Sequence, residues 1–503
     1  MLDSRYGPVL GPALLLALVP AIAAASDDFE CEARGGRPWR EISSEHFRVY
    51  TDLRSGAAKE LAEELETMHH AVQYSYFTPA PRMPGLVRVI AFDDDDEFEK
   101  FAPKGAAAYY SPGPIDGPIV VMRSHFAEET RHVVAHELTH HMMAGILARQ
   151  PSWFAEGFAC YMETVGESGP GTPPTVGSMP KHRYRAVYPY LGGVANVLRA
   201  RGLLSSDAET SSKQYGTAWA LVHFLINTRQ KEFVDLMGRF QRGQDPGAAW
   251  LEVFPQWNPG DARAIADLDE QLGKYLAHGR FGSSTIQLEK DHAVTERPMS
   301  ASQVHDLRLS IQRRVESAAD LQKLVSAEVA EALAEDPANV GALRVRAASG
   351  KAEAPALAEL AVKGHPEDYR AWLFHGNVSR DPAVREADFR KAVELAPDSE
   401  RALNELAWLL VTTEREGEAL PLAKKAALLA PWSAPTLDTL SAALEGLGRC
   451  ADALFIQRRA VDVLPERAGA DTRKRYNDRV DALAAKCGSA AAAPAAAPAA
   501  KKP

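Results

Sequence analysis

The chain has 503 residues, enough for several domains, and its 46% hydrophobic and 25% charged content excludes a mainly disordered polypeptide. A net charge of -10 supplies no general attraction to nucleic acid or anionic lipid, so neither is expected as a partner.

At the N-terminus, Arg5 precedes an apolar run from Val9 to about Ala25 that ends in small residues, with Ala23 and Ala25 in an Ala-x-Ala pattern. This is the layout of a secretory signal peptide over residues 1–25. The alternative is a membrane anchor, but the run falls short of the ~20 residues a span needs, and Pro12 and Pro20 interrupt it. The mature chain is therefore expected to be exported, periplasmic or secreted, with no integral membrane span. An exported compartment permits disulfides among Cys31, Cys160, Cys450 and Cys487. Three pairings exist on paper. Cys450–Cys487 stands out because both residues fall in one C-terminal helical region, and buried free thiols are the other reading.

Further along, His46–Thr51 reads as a strand, and the apolar spacing from Ala57 to about Tyr76 predicts a helix with His69 and His70 on its solvent side. Leu86–Phe92 is a second strand. The acidic run Asp93–Asp96 then opens a short solvated helix, because it lacks the glycine and bidentate glutamate of a calcium loop. A third β-rich run, Pro118–Met122, precedes the stretch "HVVAHELTHHMMAGILARQPSWFAEGFACYMETV". Strands followed by a long helix predict an α+β domain with a small mixed sheet. Gly166–Lys181 is rich in Gly, Pro, Ser and Thr and reads as an irregular loop. From Val187 to Arg280 the pattern is helical, with Tyr215, Trp219, His223 and Phe224 at helical spacing.

The C-terminal third repeats. Pro397, Pro431 and Pro465 lie 34 residues apart, and Ala419 and Ala426, then Ala453 and Ala460, hold the same offsets from the proline that follows them. Small residues there let paired helices approach closely. The pattern resembles the tetratricopeptide repeat. Pro337 and Pro366 mark weaker upstream units, and the Ala/Pro tail at 488–503 reads as disordered.

Within the histidine-rich stretch, His136 and His140 are four apart and share one helix face. Two imidazoles so placed reach one zinc ion, and Glu137 between them points aside, where it serves as a base for a water. Glu156 supplies a third ligand. It stands in a second helix after Pro151, and two antiparallel helices with a short connection return it to the imidazole pair. His141 faces away from the pair and is expected at the surface or in support of the site.

"HELTH" followed by "WFAEGFACYME" resembles the gluzincin metallopeptidases, and the chain from about Trp39 to Arg280 is similar to bacterial peptidase MA-like proteins. That resemblance implies Zn2+ held by His136, His140 and Glu156, Glu137 as general base, and Glu163 as an acid supporting the metal shell. The chain has no Gly-x-Met-Glu-Asn motif, which favours an endopeptidase over an aminopeptidase. Where the thermolysin pattern has Asp, this chain has Cys160, which leaves Glu163 to support the ligands. Tyr215 and His223 read either as core residues whose polar tips are satisfied or as donors to the oxyanion of the transition state.

The expected organisation is a signal peptide (1–25), a zincin-like catalytic domain (38–165) and a helical subdomain completing the cleft (166–290). All-α tetratricopeptide-like repeats (320–485) and the tail follow. The expected function is an exported zinc peptidase that hydrolyses peptides or proteins and uses its repeats for a protein partner. The alternative is a repeat-based scaffold whose metal site is weakly catalytic or not catalytic. Retention of Glu137 favours the enzyme, since a structural zinc site has no chemical use for a base.

Overall fold

The computed structural model describes residues 36–76, 86–102, 106–111, 119–123, 128–167, 173–180, 183, 187–188, 190, 192–199, 208–278, 281–286, 292–311, 318–464 and 468–487. The expected signal segment, Pro465 and the tail lie outside these residues. The described residues fall into two compact units. One comprises those within 36–63, 86–123 and 292–429; the other those within 64–76, 128–286 and 430–487.

The first unit carries a mixed sheet of six strands: β1 (Arg40–Ser43), β2 (Phe47–Thr51), β3 (Val87–Phe92), β4 (Ala108–Ser111), β5 (Ile119–Arg123) and β8 (Thr295–Pro298). Their order across the sheet is β4-β5-β3-β2-β1-β8. β2, β3 and β5 run parallel at its centre; antiparallel β4 flanks β5, antiparallel β1 flanks β2, and β8 pairs antiparallel with the outer side of β1. The central strand β3 is nearly continuous apolar sequence, as a strand covered on both faces requires, whereas β2 alternates with Phe47, Val49 and Thr51 buried. Helix α1 (Ser55–Tyr76) connects β2 to β3. His69 is buried there, not on the solvent side: Leu61, Ala62, Leu65, Glu66, Met68, Ala71 and Val72 are buried too, a face wider than one amphipathic stripe. Short α2 (Asp95–Glu99) starts where the acidic run predicts, capped by the Asp94 carboxylate accepting from the amides of Asp96 and Glu97.

Trp39, Ile90, Phe92, Phe98, Phe101 and Val121 form one core with Val304 and Leu307 of α10 (Ala301–Ser310). Arg308 is buried beside them and bonds Glu328 and Glu97. These distant pairings, with β8 on β1, join the sheet to the repeat region, so the units divide differently from the expected domain 38–165.

From α10 onward the chain is a run of helical hairpins. α11 (Ala318–Glu335), α12 (Val340–Ser349), α13 (Ala354–Gly364), α14 (Tyr369–Val378), α15 (Pro382–Leu395), α16 (Glu400–Thr412) and α17 (Glu416–Leu429) complete the first unit. α18 (Ala434–Gly446), α19 (Cys450–Asp462) and α20 (Ala470–Cys487) belong to the second. Helices α15, α17 and α19 begin at Pro382, Glu416 and Cys450, 34 residues apart. Ala419, Ala426, Ala453 and Ala460 are fully buried, as close helix pairing demands. This is a tetratricopeptide-like repeat region. Cys450 and Cys487 form a disulfide between α19 and α20, and Cys160 is a buried free thiol.

The second unit also contains α3 (Glu128–Ile146), α4 (Ser152–Met162), a 3-10 turn (Glu163–Glu167), α5 (Val194–Arg199), α6 (Ala208–Thr228), α7 (Gln230–Gln241), α8 (Pro246–Val253) and α9 (Ala262–Ala277). A two-stranded ribbon pairs β6 (Thr175–Val176) with β7 (Ser284–Thr285), so part of the expected loop after Gly166 is ordered. An aromatic core fixes α4. The Phe154 ring lies 5.2 Å from Phe240 and 5.8 Å from Phe233, and Trp153 lies 5.5 Å from Trp250. Among the described residues, no helix is long and apolar enough to cross a membrane.

Candidate metal centre

His136 and His140 stand one turn apart on α3, and Glu156 faces them from α4. The connection between the two helices is short: Leu147 closes the end of α3 on the Met143 carbonyl, and the amides of Phe154 and Ala155 bond back to the Pro151 carbonyl. The turn therefore returns α4 against the histidine face. His136 Nε2 and His140 Nε2 are 3.1 Å apart, and Glu156 Oε2 lies 3.3 Å from the first and 3.2 Å from the second. Three ligand-type atoms thus form a nearly equilateral triangle.

That triangle fits a metal ion. Ligands at about 2.0–2.2 Å from a tetrahedral zinc are about 3.3–3.5 Å apart, which the three atoms match to within a few tenths of an ångström. Charge agrees. Burial opposes protonation of the His136 ring, yet bonds to Cys160, Glu156 and Glu163 hold its pKa well above the usual imidazole value. Burial likewise pushes the Glu156 carboxyl up, but the His140 charge and bonds from both imidazoles bring it well below the usual carboxylate range. Glu137 is half-buried beside the pair.

The surrounding shell orients the ligands. His136 donates from Nδ1 to Glu163 Oε1 at 2.8 Å, which turns Nε2 toward His140 and Glu156. Glu163 is buried and is gripped in turn by Arg183, whose Nε and terminal nitrogen lie 2.6 and 2.5 Å from its two oxygens. The Cys160 thiol sits 4.0 Å from His136 Nδ1. His136, Cys160 and Glu163 are thus close enough to form a second ligand group, but Arg183 occupies both Glu163 oxygens, so they act as support. Arg183, which holds Glu163, is not singled out by the sequence, because no periodic spacing ties positions 20 residues apart.

Tyr215 and His223 separate. The Tyr215 ring lies 6.2 Å from His136 with the Arg183 guanidinium 5.5 Å above it, and it is close enough to the Glu156 carboxylate to feel its charge. Burial first, then the Glu156 charge, raise its pKa, so the hydroxyl keeps its proton and stays a donor. His223 is engaged elsewhere. Its Nε2 donates to the Gly177 carbonyl at 2.7 Å, and Nδ1 accepts from the Tyr275 hydroxyl at 2.7 Å. Burial lowers its pKa to about 4. Both ring nitrogens are spent on internal bonds, which removes His223 as a transition-state donor. His141, expected at the surface or in support, is buried, and its ring centroid lies 4.4 Å from that of Trp432. Among the described residues, neither of its ring nitrogens has a hydrogen-bond partner.

Comparison with known proteins adds one family match. A family described as a protein of unknown function, DUF1570, matches residues 130–245, which include His136, His140, Glu156, the Glu163–Arg183 pair and Tyr215. No curated protein matches the chain. Among solved structures, MamA from Desulfovibrio magneticus RS-1 is 17% identical, with 33% of this chain and 84% of that chain covered at a TM-score of 0.24. YrrB, a TPR protein with an unusual peptide-binding site, is 20% identical over 31% of this chain and 84% of its own, at a TM-score of 0.24. Yeast Tom70 is 13% identical over 67% of this chain and 70% of its own, at 0.30.

Proposed function

We propose that this chain is an exported zinc-dependent peptidase, acting on peptide or protein substrates, whose repeats engage a protein partner. One observation carries the reading: His136 Nε2, His140 Nε2 and Glu156 Oε2 converge to 3.1–3.3 Å, with Glu137 next to the first ligand and outside the triangle. His136, His140 and Glu156 would hold the ion. When bound, zinc lowers the pKa of water from about 15.7 to about 7 and polarises a carbonyl.

The chain's own groups supply the remainder. Glu137 accepts a proton from the attacking water and returns it to the leaving amine. The Tyr215 hydroxyl donates to the carbonyl oxygen as negative charge develops there. Glu163, held by Arg183, keeps the His136 ring in the tautomer that presents Nε2. The lack of an aminopeptidase amine-binding motif upstream supports internal cleavage. The Cys450–Cys487 bridge accords with an oxidising compartment.

A second reading has an observation of its own. Helical hairpins run from Ala301 to Cys487, and a tetratricopeptide-like array is a protein-binding architecture in its own right. On that reading the chain is a scaffold and the metal does no hydrolysis. Zinc stoichiometry and casein hydrolysis, with and without chelator, separate the two. The peptidase predicts one zinc per chain and hydrolysis that stops with chelator and returns with zinc. Zinc bound with no hydrolysis under any condition favours the scaffold.

A further inference from the structure

The hairpin α18–α19 lies in the same compact unit as the ligand helices, and it touches them at the places that set the metal triangle. Trp432, in the turn before α18, packs on His141, the residue after the ligand His140. Arg459 of α19 donates to the Ala144 carbonyl at 2.9 Å. Ala144 lies in the last turn of α3, where carbonyls lack helical partners and a cation is favoured by the helix dipole. Asp462, three residues on, accepts from Arg149 at 2.5 and 3.2 Å. Arg149 sits in the short α3–α4 connection, and that connection decides whether Glu156 meets the two imidazoles.

We propose that the terminal repeat hairpin is a built-in clamp on the metal site, with Trp432, Arg459 and Asp462 as positioning residues that fix the α3–α4 turn. This rests on the metal reading above for its consequence, though not for its contacts. Each contact grips a different part of one structural lever: the ligand-bearing stretch of α3, its C-terminal carbonyls and the turn to α4. A metal triangle tolerates little drift, because a displacement of about half an ångström breaks ligation. His141 points the same way. A buried imidazole with unbonded nitrogens is poor packing material, since each unmade bond carries a desolvation cost. Its ring packs against that of Trp432 at an interplanar angle of 47°. The last repeat is thus part of the site, and it is not available to an outside partner through these residues.

The test uses the full chain with Trp432→Ala, Trp432→Phe, Arg459→Gln and Asp462→Asn. Hydrogen exchange over residues 144–156 in metal-free protein reads the clamp without any ion. Faster exchange there in Trp432→Ala and Arg459→Gln, restored in Trp432→Phe, is expected; unchanged exchange in the variants overturns the clamp. The ligand-field spectrum of the Co2+-loaded chain reads its effect on the site. At full loading the spectrum should change in Trp432→Ala and revert in Trp432→Phe, with Co2+ affinity about 10–100-fold weaker in the former. An identical spectrum and affinity in all variants overturns the positioning role. Failure of the wild-type chain to bind Co2+ or Zn2+ at all refutes the metal reading instead, and the exchange result still decides the clamp. Asp462→Asn keeps shape and removes charge, so it tests the turn contact should Trp432→Ala fail to fold.

Discussion

Glu156 is the residue on which the proposed metal site turns. A half-buried carboxylate between two imidazoles is favoured when a cation shares the space, and the triangle of 3.1–3.3 Å comes within a few tenths of an ångström of the ligand spacing around zinc. Glu156→Ala should therefore weaken zinc binding far more than Glu163→Ala, for which a loss of about 10–100-fold is expected. Competition with a chromophoric chelator measures both. Equal, small effects would show that the ligand has been misassigned. His223 makes a different prediction, about stability. Its folded-state pKa is lowered from 6.5 to about 4, chiefly by burial. The unfolded chain takes up the proton first as pH falls. The contribution is complete above pH 6.5 and is lost toward pH 4, with a magnitude on the order of 3 kcal/mol. Urea midpoints across that window should fall more steeply for the wild type than for His223→Gln. Parallel pH curves would contradict the internal role assigned to His223.

At the scale of elements, the site depends on how closely α4 lies against α6. Gly157, beside the ligand Glu156, lets them meet: a Cβ there would lie 2.5 Å from the Ala218 carbonyl oxygen and 2.8 Å from Val222 Cγ2. Gly157→Ala should cost about 1–3 kcal/mol through overpacking and lower zinc affinity as Glu156 is pushed off the imidazoles. Thermal unfolding and zinc titration check it, and wild-type values for both would mean the helices have slack. Local periodicity accounts for the part of the fold and site that is legible in the sequence. The His136–His140 pair, the return of Glu156 after Pro151 and the 34-residue repeat all follow from helical spacing over short distances. Arg183 is not legible, because no helical or strand periodicity ties it to its partner Glu163, 20 residues earlier. His223 stays open between core and cleft in the sequence, because spacing shows which residues share a helix face and not what that face meets. Strands β1 and β8 also escape a linear reading; each is four residues long and their pairing spans about 250 residues.

For the whole molecule, the division into two units is the main departure from the linear order of domains. The sheet shares a unit with most of the repeats, while the ligand helices share the other with the last hairpin. The last repeat hairpin and the candidate metal centre therefore belong to one unit. The central claim is chemical: a zinc ion held by His136, His140 and Glu156, with Glu137 as the base that turns water onto a peptide bond. Mass-spectrometric profiling of peptide-library cleavage by zinc-loaded wild type and Glu137→Gln tests it most directly. Cleavage by the wild type is expected, with a loss of at least about 10²–10⁴-fold in Glu137→Gln and zinc content unchanged. Equal cleavage by both proteins, or zinc lost from Glu137→Gln, would contradict it.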